Sequence, residues 1–286
     1  MEIANYKIVK LKFRGALHIG TGKADSYDHS DEIIHSDTIK SALYSAYRQV
    51  YPDRLEGDED VSFFESFLVS STFPFYREEF FLPRPISGLP VHLSDLDENA
   101  KSSLSKKLKK IQYAGTEIFE NLAEGKQVTV SEQHFDISKR LLFAKPQDEN
   151  TKIFVRDIQQ RVYIPDPEAE GVDSQPYYIE RLFFAPEAGL YFFLDLKNNE
   201  LLKQIKTCLK ILGDNGLGTD KNVGNGQFDF EIEDLELKIP DLPTHLMALS
   251  LFCPEVNTVT EHFLMESAFA TIKRGGFIVS AEKENY

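Results

Sequence analysis

The sequence predicts an α+β protein in which antiparallel sheets are covered on one face by helices. Three observations carry this prediction. Strand-type alternation opens the chain at YKIVKLKF (6–13) and returns near its end at FDFEIEDLEL (228–237). Helix-type spacing sets Ile39, Ala42, Leu43, Ala46 and Val50 on one face of 38–50, and Leu201, Leu202, Ile205, Leu209 and Leu212 on one face of 200–212. Strands and helices alternate, but without the regular spacing of βαβ units.

The elements follow in order. In the first strand Tyr6, Ile8, Leu11 and Phe13 are interrupted by lysines. A polar loop leads to the first helix, with Ser36 or Asp37 as the expected N-cap and Pro52 just past its end. The acidic run LEGDED (55–60) reads as a solvated turn. FPFYREEFFL (73–82) reads as an aromatic hairpin, and the LPRPISGLP that follows is too proline-rich for a central strand. Residues 100–120 read as one polar helix with a narrow stripe of Leu104, Leu108 and Ile111. Residues 153–164 and 177–184 read as strands, and EAGLYFFLDL as a second hairpin arm ending at Leu196. Gly213 is the expected cap of the helix at 200–212. After the strand at 228–237, residues 245–253 read as a buried strand and 269–279 as a short hairpin. The two helix-bearing segments suggest two ferredoxin-like units.

Composition narrows the function classes. The 286 residues are 42% hydrophobic and 27% charged, the balance of a globular protein. The apolar stretch at 246–253 is too short to span a bilayer, and MEIANYKIVKLKF lacks a signal-peptide core. A cytoplasmic protein without a membrane role is therefore expected. The two cysteines, Cys208 and Cys253, fit a reducing compartment and cannot supply a four-cysteine zinc site. A net charge of −14 argues against non-specific nucleic-acid binding by the whole surface. Residues 101–161 nonetheless hold twelve Lys/Arg against eight Asp/Glu, so a locally basic insert is expected.

The most unusual stretch is LGDNGLGTDKNVGNGQF (212–228), with five glycines in seventeen residues. It lacks the Lys-Ser/Thr ending of a P-loop, and Gly216-Leu217-Gly218 has no third glycine for a dinucleotide fingerprint. A helix precedes the loop and a strand follows, the reverse of the dinucleotide order. No nucleotide cofactor is expected. Two readings stand: a backbone N–H platform for phosphates with Lys221 and Asn222 at its tip, or a tight loop that only packs.

In its helix–loop–strand setting, G-L-G-x5-G-x-G-x-F (Gly216, Gly218, Gly224, Gly226, Phe228) resembles the RAMP superfamily of CRISPR proteins. Other stretches are similar to one branch, the subunit that caps the crRNA 5′ end in type III-A (Csm) effector complexes. These are LHIGTGKADSYDHSDEIIHSDTIKSAL (17–43), FLPRP (81–85), VRDIQQRV (155–162) and the Lys273-Arg274-Gly275-Gly276-Phe277 run. Members of that branch continue past the last of these with further strands, whereas this sequence ends at Tyr286.

The resemblance implies two RRM-like modules. The first, 1–150, carries the hairpin and basic insert, and the second, 151–286, carries the glycine-rich loop. It implies a non-catalytic subunit that binds the crRNA 5′ handle. Its partners would be a large polymerase/cyclase-type subunit and a backbone RAMP subunit. The residues it points to for RNA are Gly20, Gly22, Lys23, Arg84, Arg156, Arg161, Gly216, Gly218, Lys221, Asn222, Gly224, Gly226, Lys273 and Arg274. Arg156 and Arg161 are five apart, so on a strand they face opposite ways. Phe73, Phe75 and Tyr76 suit either base stacking or core packing.

Two other readings stay open. His18, His29 and His35 lie among Asp25, Asp28, Asp31 and Asp37, which suits a pre-crRNA endoribonuclease with a histidine acid/base. None of their spacings matches an i, i+4 zinc pair, and no metal is expected. A protein-only assembly scaffold is the other alternative.

Overall fold

The computed structural model describes residues 2–20, 27–52, 58–86, 89, 91, 98–136, 138, 140–148, 151, 153–164, 174–255 and 258–274, apart from the side chains of 58–61. They form an α+β structure built on one large sheet. Strand β1 (Glu2–Phe13) pairs along its full length with β11 (Phe228–Ile239), from Glu2 opposite Ile239 to Phe13 opposite Phe228. Both strands alternate charged and apolar residues. Lys7 faces Asp234 at 2.8 Å, Lys12 meets Glu231 at 2.8 Å, and buried Lys10 lies 3.3 Å from Glu233. The lysines of the first strand are thus matched by the acids of the last, a cross-strand pairing that pins the register.

The other edge of β1 pairs with β10 (Ala188–Leu196), followed by β3 (Phe73–Tyr76), β4 (Glu79–Pro83), β5 (Tyr113–Gly115), β7 (Leu141–Leu142) and β6 (Phe135–Asp136). The short β2 (Phe67–Val69) also pairs with β10. All these pairings are antiparallel except β5 with β7. Helices α1 (Ser36–Val50) and α5 (Leu201–Asn215) pack together and bury Ile39, Leu43, Ala46, Ile205, Leu209 and Leu212 in the main core. Removing that apolar surface from water is the main stabilising term. A second, smaller core gathers Ile111, Ala114, Ile118, Val130 and Leu142. Two strands form a separate ribbon: among the described residues β8 (Phe154–Tyr163) pairs only with β9 (Gln175–Phe184). Strands from both expected segments, 1–150 and 151–286, share the large sheet.

Several elements differ from expectation, each for a local reason. β10 is not a hairpin partner of β9. It is apolar on both faces, so it enters the sheet centre between β1 and β3, while half-polar β9 stays with β8. Residues 100–120 break into α3 (Glu98–Lys110), β5 and α4 (Thr116–Ala123), because Tyr113 and Ala114 are buried and extend the sheet beyond β4. Within the acidic run, residues 58–60 open helix α2 (Asp58–Glu65). Residues 55–57 of that run lie outside the described residues.

The cap positions also shift. The N-cap of α1 is His35, because the Ser36 hydroxyl is engaged by the Leu251 amide at 3.0 Å. Gly213 lies inside α5, and Gly216 (φ +85°) ends that helix. A Cβ on Gly213 would stand 2.5 Å from the Phe228 carbonyl oxygen, so this glycine admits β11 rather than stopping the helix. Residues 245–253 form no strand: Leu246 is 91% and Phe252 66% exposed. Among the described residues that segment is hydrogen-bonded to the body at Ser71 N to Leu249 O, 2.9 Å, and Leu251 N to Ser36 Oγ. Residues 269–274 are irregular, and the remainder of the expected hairpin lies outside the described residues. Helix α6 (Glu261–Met265) is the last regular element among the described residues.

Candidate nucleic-acid interface

The glycine-rich loop is the centre of the candidate site, and most of its glycines are required by packing. A Cβ on Gly216 would lie 2.4 Å from the Asn225 carbonyl oxygen, on Gly218 2.3 Å from that of His18, and on Gly226 1.8 Å from that of Leu217. All three have positive φ, a region in which L side chains are disfavoured. The loop folds back on itself through Leu217 N to Gly226 O at 2.9 Å. It is sewn to the segment after β1 by Thr219 N to His18 O at 2.9 Å and Gly226 N to Ala16 O at 2.7 Å. Leu17, between those two residues, bridges the other way to Leu182 of β9. Residues 16–18 therefore lie between the glycine loop and the ribbon.

Internal bonds use the amides of Gly216, Leu217, Thr219, Val223, Gly224 and Gly226, so those six are not offered to a ligand. The tip differs. Lys221–Val223 form a single 3-10 turn, and Lys221, Asn222, Val223 and Gly224 are exposed. A Cβ on Gly224 would meet nothing within 4 Å. Lys221 makes no ion pair among the described residues, so its charge is available to solvent. Gly20 packs near Thr219, while Gly22 and Lys23 lie outside the described residues.

The arginines singled out by the motifs are internally engaged. Arg156 donates to Glu180 Oε2 at 2.6 Å and to Glu32, and Arg140 also reaches Glu32 at 3.5 Å. Arg161 donates to Asp220 of the glycine loop. Burial pulls the Arg161 pKa down, but hydrogen bonds to Tyr177 and Asp220 outweigh it and raise the value. The ribbon register puts Arg156 opposite Leu182 and Arg161 opposite Tyr177, on opposite faces as their spacing implies. Arg84 donates to the carbonyls of Lys109 at 3.1 Å and Leu108 at 3.2 Å, which caps the end of α3. Arg274 makes a forked contact with Asp37 and reaches Thr38 Oγ1, each at 3.0 Å. Lys273 is exposed and makes no ion pair among the described residues.

The histidines do not assemble a common site among the described residues. His18 is buried, with Nδ1 2.6 Å from the Glu180 carbonyl oxygen and Nε2 unpartnered. His29 is exposed beside Asp28, whereas His35 caps α1. Burial and then the charge of Arg274 hold His35 below its ordinary pKa, against Asp31 and Asp37. No group of three or more His, Cys, Asp or Glu converges to hold a metal among the described residues. Phe73, Phe75 and Tyr76 are 3%, 1% and 9% exposed, so they serve the core and not a base. The ribbon does carry exposed apolar side chains: Ile158, Val162, Tyr163 and Tyr178 are all more than half exposed. Asp220 and Asn225, which order the loop, carry no motif signal of their own. Asp220 is marked only by its position between the second glycine and the basic tip.

The model of the RAMP superfamily matches residues 10–229, from β1 through the glycine loop into β11. The chain belongs to the RAMP superfamily. It is similar to the CRISPR system Cms protein Csm4 of Thermococcus onnurineus (strain NA1), 24% identical over 214 residues, which covers 73% of this chain and 66% of that protein. Among solved structures it is similar to a Csm1–Csm4 cassette in complex with pppApA. The TM-score is 0.54 at 20% identity, covering 83% of this chain and 72% of that one. A Csm3–Csm4 subcomplex of a type III-A CRISPR-Cas interference complex gives 0.53 at 19% identity, covering 81% and 70%. At these identities the structural likeness speaks to the fold. No helix among the described residues is long and apolar enough to cross a membrane.

Proposed function

We propose that the chain is a Csm4-type subunit of a cytoplasmic type III-A CRISPR-Cas effector complex and binds the 5′ handle of the crRNA without catalysing a reaction. The observation that carries this reading is the loop tip. A tightly packed glycine loop in a RAMP fold leaves Lys221 and Asn222 exposed, with Lys221 free of any ion pair among the described residues. A rigid base under a free cation suits a phosphate, which draws affinity from charge and register from backbone geometry. Target sequence would be read by base pairing of the guide. The expected protein partners are a large polymerase/cyclase-type subunit and a backbone RAMP subunit, in keeping with the Csm1 and Csm3 companions of the similar solved chains.

Fluorescence titration against handle RNA at two salt concentrations tests this. Lys221→Ala and Lys273→Ala should each weaken binding and lower the log–log salt slope by about 0.7, the value for one single-strand phosphate contact. Unchanged slopes in both variants would defeat the reading. A protein-only scaffold is favoured by one observation, the internal pairing of Arg84, Arg156, Arg161 and Arg274. A salt-independent absence of RNA binding, with normal assembly, would select it.

A further inference from the structure

Asp220 has two unusual properties. Its φ is +64°, a left-handed conformation that Asp adopts only occasionally. Its Oδ2 atom accepts from two directions: Asn225 Nδ2 at 2.9 Å, across the loop, and the Arg161 guanidinium, from the ribbon. Asn225 is buried, and the Asp220 and Arg161 side chains are each 21% exposed. Loop closure does not need this clasp, because Leu217 and Gly226 already close the loop through their backbones. What the clasp adds is direction. One arm ties the two limbs of the tip together and the other ties the tip to β8. Lys221 is the next residue along the chain, at the start of the exposed turn.

We propose that Asp220 is a positioning residue for single-stranded RNA, which aims Lys221 and Asn222 and joins the loop tip to the β8–β9 ribbon as one surface; this rests on the RNA-binding reading above. A lysine is a point charge on a flexible stem, so the backbone beneath it must supply its direction. Arg161 then serves RNA binding through Asp220 and not by touching a phosphate. This explains why an arginine in a motif of an RNA-binding family is spent on an internal carboxylate.

Two substitutions in the full chain test this. Asp220→Gly suits a φ of +64° and deletes the carboxylate. Asp220→Asn keeps the shape and one acceptor but loses the charge that holds Arg161. The probe is a fluorescein-labelled RNA oligonucleotide of the handle sequence, read by anisotropy. Hydrogen exchange of the RNA-free protein follows 219–226 and the ribbon. Asp220→Gly should weaken binding about tenfold and raise exchange in both places, with Asp220→Asn in between. Asp220→Gly combined with Lys221→Ala should bind no more weakly than Lys221→Ala alone, because both act on one contact.

Wild-type affinity in Asp220→Gly would overturn the proposal. So would raised exchange with unchanged affinity, or full additivity with Lys221→Ala. Failure of the wild-type chain to bind RNA at all would instead remove the function proposed above, and exchange in the RNA-free protein distinguishes the two cases.

Discussion

Arg274 and Asp37 are 237 positions apart in the chain and form a forked ion pair at the start of α1, with both N–O distances 3.0 Å. Burial alone would raise the Asp37 pKa, but the bonds from Arg274 and Thr38 outweigh it and hold the carboxyl below its ordinary value. With the Ser71–Leu249 and Leu251–Ser36 bonds, this pair fastens the irregular segment after β11 to the body. Arg274→Ala should cost about 0.5–1 kcal/mol, since the pair is partly solvated. It should also speed chymotryptic cleavage within 240–274 several-fold. An unchanged cleavage rate would show that the pair does not hold the segment.

Stability should fall on mild acidification. His35 is held below its ordinary pKa of 6.5 by burial first and then by Arg274. His134 is held below its own by burial. A folded pKa below the unfolded one means that the unfolded chain binds the proton more readily. The stability conferred by these neutral rings is thus present above pH 6.5 and lost as pH falls through their folded values. The melting temperature should drop between about pH 7 and pH 5. His35→Gln with His134→Gln should flatten that dependence, and a variant retaining the full slope would refute the assignment.

Two glycines of one loop should respond to different degrees to the same methyl group. At Gly226 an added Cβ would stand 1.8 Å from a backbone oxygen, so Gly226→Ala should destabilise by about 2–4 kcal/mol. At Gly224 the space is open and only the positive φ opposes, so Gly224→Ala should cost about 1–2 kcal/mol. Urea unfolding midpoints compare the two directly. Equal losses would contradict the packing described for the loop.

Arg84 should behave as a structural residue. Arg84→Ala removes the cap on the α3 carbonyls and should cost about 1 kcal/mol, with handle-RNA affinity intact. A large loss of affinity in a fully folded variant would return Arg84 to the RNA site.

The legible parts of this fold are those with a strong local period. β1, α1, α5 and β11 carry alternation or helical spacing over many residues, and the structure has an element in each place. The failures share another cause. Residues 113–115 become a strand because β4 offers them an edge, and 245–253 fail to become one because no described strand pairs with them. Both outcomes depend on neighbours that a local window does not contain. Glycine spacing marks the loop between α5 and β11. It could not tell which amides are free, since that depends on Ala16 and His18, two hundred positions away. The arginines were visible as charges, whereas their acidic partners Glu32, Glu180 and Asp220 become visible only in three dimensions.

The β1–β11 ladder also sets a timetable for folding. Lys7 and its partner Asp234 are separated by 227 positions, so at about 5–20 residues per second the ribosome needs roughly 11–45 s to deliver the second after the first. Throughout that interval one edge of β1 has no strand to pair with. The three lysines along it then act as like charges that discourage pairing with a second nascent chain, before they serve as counter-ions to β11.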